Sequence, residues 1–481
     1  MRWTISFNRV IRSAAIICFV LAASHSVCHA AKAPAAEKSP YAQLNERFIA
    51  NNNTLRTQAA ASFAKNLPKP ATMDALTELT QKYLQQGDAS SALSLALINL
   101  KLIKNNLDTQ SALVFISLLL DNNLPDIATD LFNVIQSDGE KSLKASASYL
   151  FARYYFNENN WQQCLQYLGD IYSDLPEVQA SHARLLTGVA LQHLKDHRKA
   201  ISFYERIPQT SDDYLYARLN IAVAYIRQGW WTDAQTTITN ALKPYSKSTD
   251  NNELVNRLYL VLGYSLLQKE YYRDAREAFR NIHTDSQYGN RALLGIALAS
   301  ASQDDFIGAL NALSALRSKD TIDLSVDETY LLFPFVYKNL GQELTATTSY
   351  NEAIQYYQTR IDNLGKPKGF DVSNLDAIRH TREAYQLNIN NNVFDIGSDL
   401  PQSFLKNPQR IDALLKASAG IKPASSKSVE KLNQLKADYA STYKALQKTI
   451  TNQRKDYLNS YLNQSRYGLA NLYDNSLPGS K

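Results

Sequence analysis

Cysteine is nearly absent. Of the three in 481 residues, Cys18 and Cys28 fall within the first 30, which leaves Cys164 alone in the rest of the chain. No disulfide framework and no paired-cysteine metal site can be built from one thiol. The histidines beyond residue 30, His182, His193, His197, His283 and His380, stand in no metal-ligand spacing. There is no His-Glu-x-x-His helix and no Gly-x-Ser-x-Gly elbow, and Gly365-Lys366-Pro367-Lys368-Gly369 has the prolines of a helix-ending turn rather than the spacing of a phosphate loop. These gaps argue against an enzyme and against a cofactor. Long apolar runs are missing as well: nothing reaches the roughly 20 residues that a membrane-crossing helix needs. With 45% hydrophobic and 20% charged residues, the chain can still bury a continuous core.

The one short apolar run, Ala14 to Ala23, follows Arg2, Arg9 and Arg12 and precedes the small residues Cys28 and Ala30. That order of basic, apolar and small segments predicts a secretory signal peptide over residues 1–30 and a mature chain beginning at Ala31. Its removal takes three Arg and no acid, so the net charge falls from +6 to +3. A weakly basic exported chain, poor in cysteine, fits the periplasm and gives no reason to expect nucleic acid as a partner.

What the chain has in abundance is rhythm. Ala92, Ala128, Cys164, Ala200, Ala234, Ala275, Ala309 and Ala346 are spaced 36, 36, 36, 34, 41, 34 and 37 residues apart. Nine residues before the small residue stands Tyr83, Leu119, Tyr155, Leu191, Tyr225, Leu266 or Tyr337, with Ser300 the exception. Four residues after it come Ala96, Phe132, Leu168, Tyr204, Ile238, Phe279, Leu313 and Tyr350. Twelve before it, Ala152, Gly188, Ala222, Gly263 and Ala297 are small again, and Trp161, Trp231, Tyr272 and Phe306 lie three before. Small residues on two consecutive helices let the backbones approach while large ones fill the flanking holes.

This pattern resembles the tetratricopeptide repeat (TPR), a helix–turn–helix unit of about 34 residues. The resemblance implies an all-α fold: a right-handed superhelical TPR solenoid of about eight helix pairs, followed here by a long C-terminal helix. Residues 31–71 read as a leader and capping helices, broken at Asn51-Asn52-Asn53; residues 72–364 as the array; 365–427 as an irregular connector. Within the connector, Ser373 begins a predicted helix to Leu387, Asn388 to Lys406 reads as a loop, and Asn407-Pro408 as the cap and first turn of a further helix. Residues 428–481 carry one amphipathic helix with the stripe Leu432, Leu435, Tyr439, Tyr443, Leu446 and Ile450. It either packs on the array or pairs with another chain, and its tyrosines favour the array.

In the TPR family the first helix of each pair lines a concave groove. Carried onto this sequence, that implies a partner-binding face with Tyr149, Arg153, Phe156, Asn157, His182, His193, Tyr216, Arg227, Arg257, Tyr264 and Arg291. Four Arg and no Asp or Glu stand among them. Arg offers a planar fork to carboxylates, so the face suits an acidic, extended protein segment. The alternative is a glycan of an export or cell-wall system, stacked on Tyr149, Tyr216 and Tyr264.

Overall fold

The computed structural model of the chain describes residues 39–63, 67–107, 111–245, 252–320, 322–364, 378–381, 384–389, 392–397, 400–419 and 426–476. The predicted signal peptide and leader, and residues 365–377 of the connector, lie outside them. Helix α1 (Pro40–Phe63) precedes the repeats. Eight helix pairs follow, which is the TPR-like arrangement that the spacing predicts: α2 (Met73–Gln85) with α3 (Ala89–Ile98) and a short α4 (Leu100–Lys104); α5 (Ser111–Asp121) with α6 (Pro125–Asp138); α7 (Lys141–Asn157) with α8 (Trp161–Leu168); and α9 (Glu177–His193) with α10 (His197–Glu205). The series continues with α11 (Tyr214–Arg227) and α12 (Trp231–Leu242), α13 (Glu253–Gln268) and α14 (Tyr272–Arg280), α15 (Gly289–Ala301) and α16 (Phe306–Arg317), and α17 (Leu324–Asn339) and α18 (Glu343–Leu364). Strands β1 (Ile378–Thr381), β2 (Ala384–Ile389) and β3 (Asn392–Gly397), then α19 (Gln402–Ala419) and α20 (Ser426–Ser476), complete it.

All eight small residues of the repeat are fully buried. The partner positions explain why. A Cβ added at Gly188 would lie 2.3 Å from the ring of Tyr204, and one at Gly263 would lie 2.5 Å from the ring of Phe279. So the small residue of the first helix makes room for the large residue four places after the small one of the second. Cys164 is one of the buried small residues, and burial pushes its thiol up to about 12, which removes it from thiolate chemistry.

Every pair also turns in the same way. Five residues before the small residue, Gly87, Asn123, Asn159, Lys195, Gly229, Glu270, Asp304 and Gly341 all have a positive φ. The next residue's N–H donates to the carbonyl at the large position nine before the small residue, from Asp88 to Tyr83 through Gln342 to Tyr337, at 2.9–3.0 Å. This is the left-handed helix stop with its crossed hydrogen bonds. Asp88, Asn160, Asp196 and Asp305 then cap the second helix by accepting the N–H of Ser91, Gln163, Lys199 and Gly308.

The described residues form two compact units: those within 30–214 and 399–443, and those within 215–398 and 444–481. In the first, Leu76, Phe115, Leu119, Leu131 and Phe151 lead the core of the early pairs. In the same unit the starts of α1 and α19 meet α20, with Tyr41 4.6 Å and Tyr443 4.3 Å from the ring of Phe404. In the second unit Tyr357 of α18 packs with Leu458, Tyr461 and Leu462 of α20, and Tyr350 with Leu469 and Leu472. Gly468 lets this happen, since a Cβ there would fall 2.5 Å from the Tyr350 ring. The described part of α20 thus packs on repeats of its own chain.

Three expectations for the flanks are corrected. Asn51-Asn52-Asn53 do not break α1, because each asparagine finds a partner: Asn51 donates to Arg47 O, Asn52 to the carbonyls of Asn122 and Asn123, and Asn53 to Asp126. The helix expected to end at Leu387 is replaced over 378–381 and 384–387 by strands, which, with β3, form an antiparallel sheet in the order β1-β2-β3. That sheet also takes up part of the expected loop. The Val393 N–H donates to Ile322 O ahead of α17 at 3.1 Å. Finally, Asn407-Pro408 does not start a helix but lies inside α19. Proline there leaves the carbonyl of Phe404 without its helical donor, and the Tyr443 hydroxyl supplies one at 3.0 Å.

Candidate partner-binding face

The eleven residues expected on the face lie on the first helices of five pairs, in two groups. In the first unit, α7 carries Tyr149, Arg153, Phe156 and Asn157, and α9 carries His182 and His193. The ring of Tyr149 is only 7% exposed and sits edge-on to His182 at 6.2 Å. Burial raises its phenol, and the Arg153 side chain within hydrogen-bonding reach partly opposes the shift. Nδ1 of His182 lies 3.1 Å from the Asp213 carboxylate. The His193 ring stacks on Trp161 at 4.1 Å, and Trp161 meets Phe156 edge-on.

In the second unit Tyr216 and Arg227 on α11, Arg257 on α13 and Arg291 on α15 are half-buried. Tyr264 is 6% exposed and ties α13 to α15, its hydroxyl donating to Arg291 O at 2.9 Å. Of the three tyrosines offered for sugar stacking, Tyr149 and Tyr264 therefore have their rings covered by protein. Only Tyr216 keeps partial access. A stacking platform needs open ring faces, so the glycan alternative loses most of its support.

The end of α7 is already in use. Gln402 at the start of α19 donates to Asn157 Oδ1 at 3.2 Å, and the Ser403 N–H donates to Glu158 Oε1 at 3.2 Å. The Ser403 hydroxyl and Asn45 Nδ2 donate to Glu158 Oε2. Arg410 reaches Asn407 Oδ1 and the carbonyl of Asp121, while Asn407 donates to Asn45 Oδ1 and to the Tyr439 hydroxyl at 3.0 Å each. Burial raises the Glu158 carboxyl against the pull of its Ser403 hydrogen bonds and the Arg410 charge. Burial, with Arg410 beside it, lowers Lys406. So Asn157, expected to meet a partner, holds a helix of its own chain.

Sequence reasoning missed Asp213 and Glu158, the acids that stand against this face. Asp213 precedes α11 by one residue and Glu158 follows α7 by one. Both lie outside the helical offsets from which the face was read. Ser403 was missed because it fell in the expected loop, and Arg410, on a helix expected from Asn407, because no local signal brings that helix against α7. Among the described residues there is no group of three or more His, Cys, Asp or Glu that could hold a metal ion, and no helix long and apolar enough to cross a membrane.

No family model matches the chain, and no curated protein does. Among solved structures, it is similar to the C-terminal part of a TPR repeat-containing protein from Cytophaga hutchinsonii, at 16% identity over 50% of this chain and 94% of that one, with a TM-score of 0.42. The apo form of RapI matches at 10% identity over 78% of this chain and 98% of that one, with a TM-score of 0.43. The apo quorum sensor NprR from B. thuringiensis matches at 12% identity over 71% and 98%, with a TM-score of 0.34. At such identities and scores no ligand or activity comes with the likeness.

Proposed function

We propose that this chain is an exported, non-enzymatic scaffold of the bacterial envelope that binds acidic, extended segments of protein partners along the first helices of its repeats. The observation that carries the reading is the half-buried set Arg227, Arg257 and Arg291 with Tyr216 on three successive first helices of one unit. A guanidinium presents a planar fork of N–H donors that matches a carboxylate, and partial burial strengthens the charge pairing it makes. The seat of α19 on Asn157 and Glu158 adds that a first-helix end accepts a protein segment through directed polar contacts. The signal peptide pattern of residues 1–30 supports export.

A crosslinking pull-down from the envelope fraction of the native host tests this. The mature chain is compared with a variant carrying Arg153→Glu, Arg227→Glu and Arg257→Glu. The expected result is a defined protein retained by the wild type and reduced about tenfold or more in the variant, with binding that fades at high salt. Equal recovery by both chains contradicts the reading, as does a partner held equally at high salt.

A further inference from the structure

A notch between α5, α7 and α19 gathers three cations of the first unit: Arg153 of α7, and Lys406 and Arg410 of α19. Two acids share its lining, Asp121 at the end of α5 and Glu158 just after α7. The cavity measures about 40 Å³. One water needs roughly 10–15 Å³ of such space, so the notch takes a group of about three or four heavy atoms.

The acids are held by neutral donors. Glu158 accepts from the Ser403 N–H at 3.2 Å, from the Ser403 hydroxyl and from Asn45 Nδ2 at 3.0 Å, and Asp121 accepts from the Ser117 hydroxyl at 3.3 Å. The cations hold neutral oxygens: Lys406 Nζ donates to Gln402 Oε1 at 2.9 Å, Arg410 to Asn407 Oδ1 at 2.9 Å and to the Asp121 carbonyl, and Arg153 to the Tyr149 hydroxyl. Among the described residues no ion pair joins either acid to any of the three cations. The acids beyond the lining are engaged elsewhere, Asp213 by His182, Asp126 by Asn53 and Asp438 by Arg47.

Charge around the notch is therefore unbalanced. Three cations face two acids, which leaves one positive charge in excess, and the excess grows while Glu158 holds its proton, as burial favours. Arg56 of α1 adds to it: its Nε is buried without a hydrogen-bond partner among the described residues, and its charge and that of Arg410 oppose each other. Like charges gathered in a partly buried space repel, and an anion between them relieves the repulsion. Donors for such an anion are at hand. Arg153 and Arg410 carry planar N–H forks, Lys406 has three N–H bonds of which Gln402 takes one, and Asn157, whose Oδ1 accepts from Gln402, keeps Nδ2 as a donor.

We propose that this notch binds one small oxyanion, a carboxylate or a phosphate, held by Arg153, Lys406 and Arg410 and joining α19 to α7. The anion cancels the excess charge and gives the two arginines and the lysine the ionic partner that Asp121 and Glu158 do not supply.

Thermal unfolding of the full chain tests this in inorganic phosphate, in acetate and in chloride, at one pH and one ionic strength. An anion that binds only the folded chain raises the midpoint by mass action. The expected result is a saturable rise with phosphate, acetate or both that chloride does not give, and the anion that gives it identifies the class. Lys406→Gln, at an exposed position, is expected to weaken the apparent affinity about tenfold or more, as the loss of a hydrogen bond to a charged group does. Lys416→Gln removes the same charge from an exposed position of α19 outside the notch and is expected to respond like the wild type. An equal response to chloride, no response to any of the three, or a Lys406→Gln chain that responds like the wild type overturns the proposal, and so does equal weakening by both substitutions. No protein partner takes part, so the site stands or falls separately from the partner-binding face.

Discussion

Lys195 sits at φ +69° in the turn between α9 and α10, at the position that Gly87, Gly229 and Gly341 fill in other repeats. A residue with a Cβ is strained there by roughly 1–2 kcal/mol, while glycine gives back part of that through its freer unfolded chain. Lys195→Gly is accordingly expected to stabilise the protein by roughly 0.5–1 kcal/mol, read as a higher thermal midpoint. A lower midpoint would mean that the Lys195 side chain holds the turn. The glycines of this series were legible as turns in the sequence, whereas Glu270 and Asp304 were not. Asn123, Asn159 and Lys195 also fall in clusters that read as turns, whereas at Glu270 and Asp304 the conformation follows from the helix stop that the repeat imposes.

Helix α19 shows how an element can defeat local signals. Asn-Pro reads as a helix start, yet Asn407 and Pro408 lie inside the helix because tertiary contacts replace what the proline removes. Tyr443 provides the missing donor to Phe404 O and stacks on the Phe404 ring. Tyr443→Phe keeps the stack and leaves a buried carbonyl unsatisfied, a loss of about 1–3 kcal/mol. A shift of the urea midpoint to lower concentration with an unchanged slope is the expected result, and a wild-type midpoint would show that the carbonyl finds another donor. The asparagines of α1 teach the same point, since their partners Asn122, Asn123 and Asp126 are about 70 residues away in sequence. The eight pairs were legible because their signal repeats at fixed offsets. The strands of residues 378–397 were not, being set by pairing among themselves.

Across the whole molecule, two units each carry half of the expected face. The positions of its residues on first helices were legible from the repeat register. What was not legible was how much of each side chain remains open: Tyr149 and Tyr264 are covered, Asn157 is engaged by α19, and Arg227, Arg257 and Arg291 are half-buried. Those three arginines are the core of the account, and site-specific photocrosslinking addresses them most directly. A photoreactive amino acid replaces Arg257 on the first helix α13, and in a second strain Thr236, exposed on the second helix α12 of the same unit. In the native host the Arg257 position is expected to give a discrete crosslinked protein that the Thr236 position does not. Crosslinks at Thr236 alone, or the same product from both positions, would contradict a partner held along the first helices.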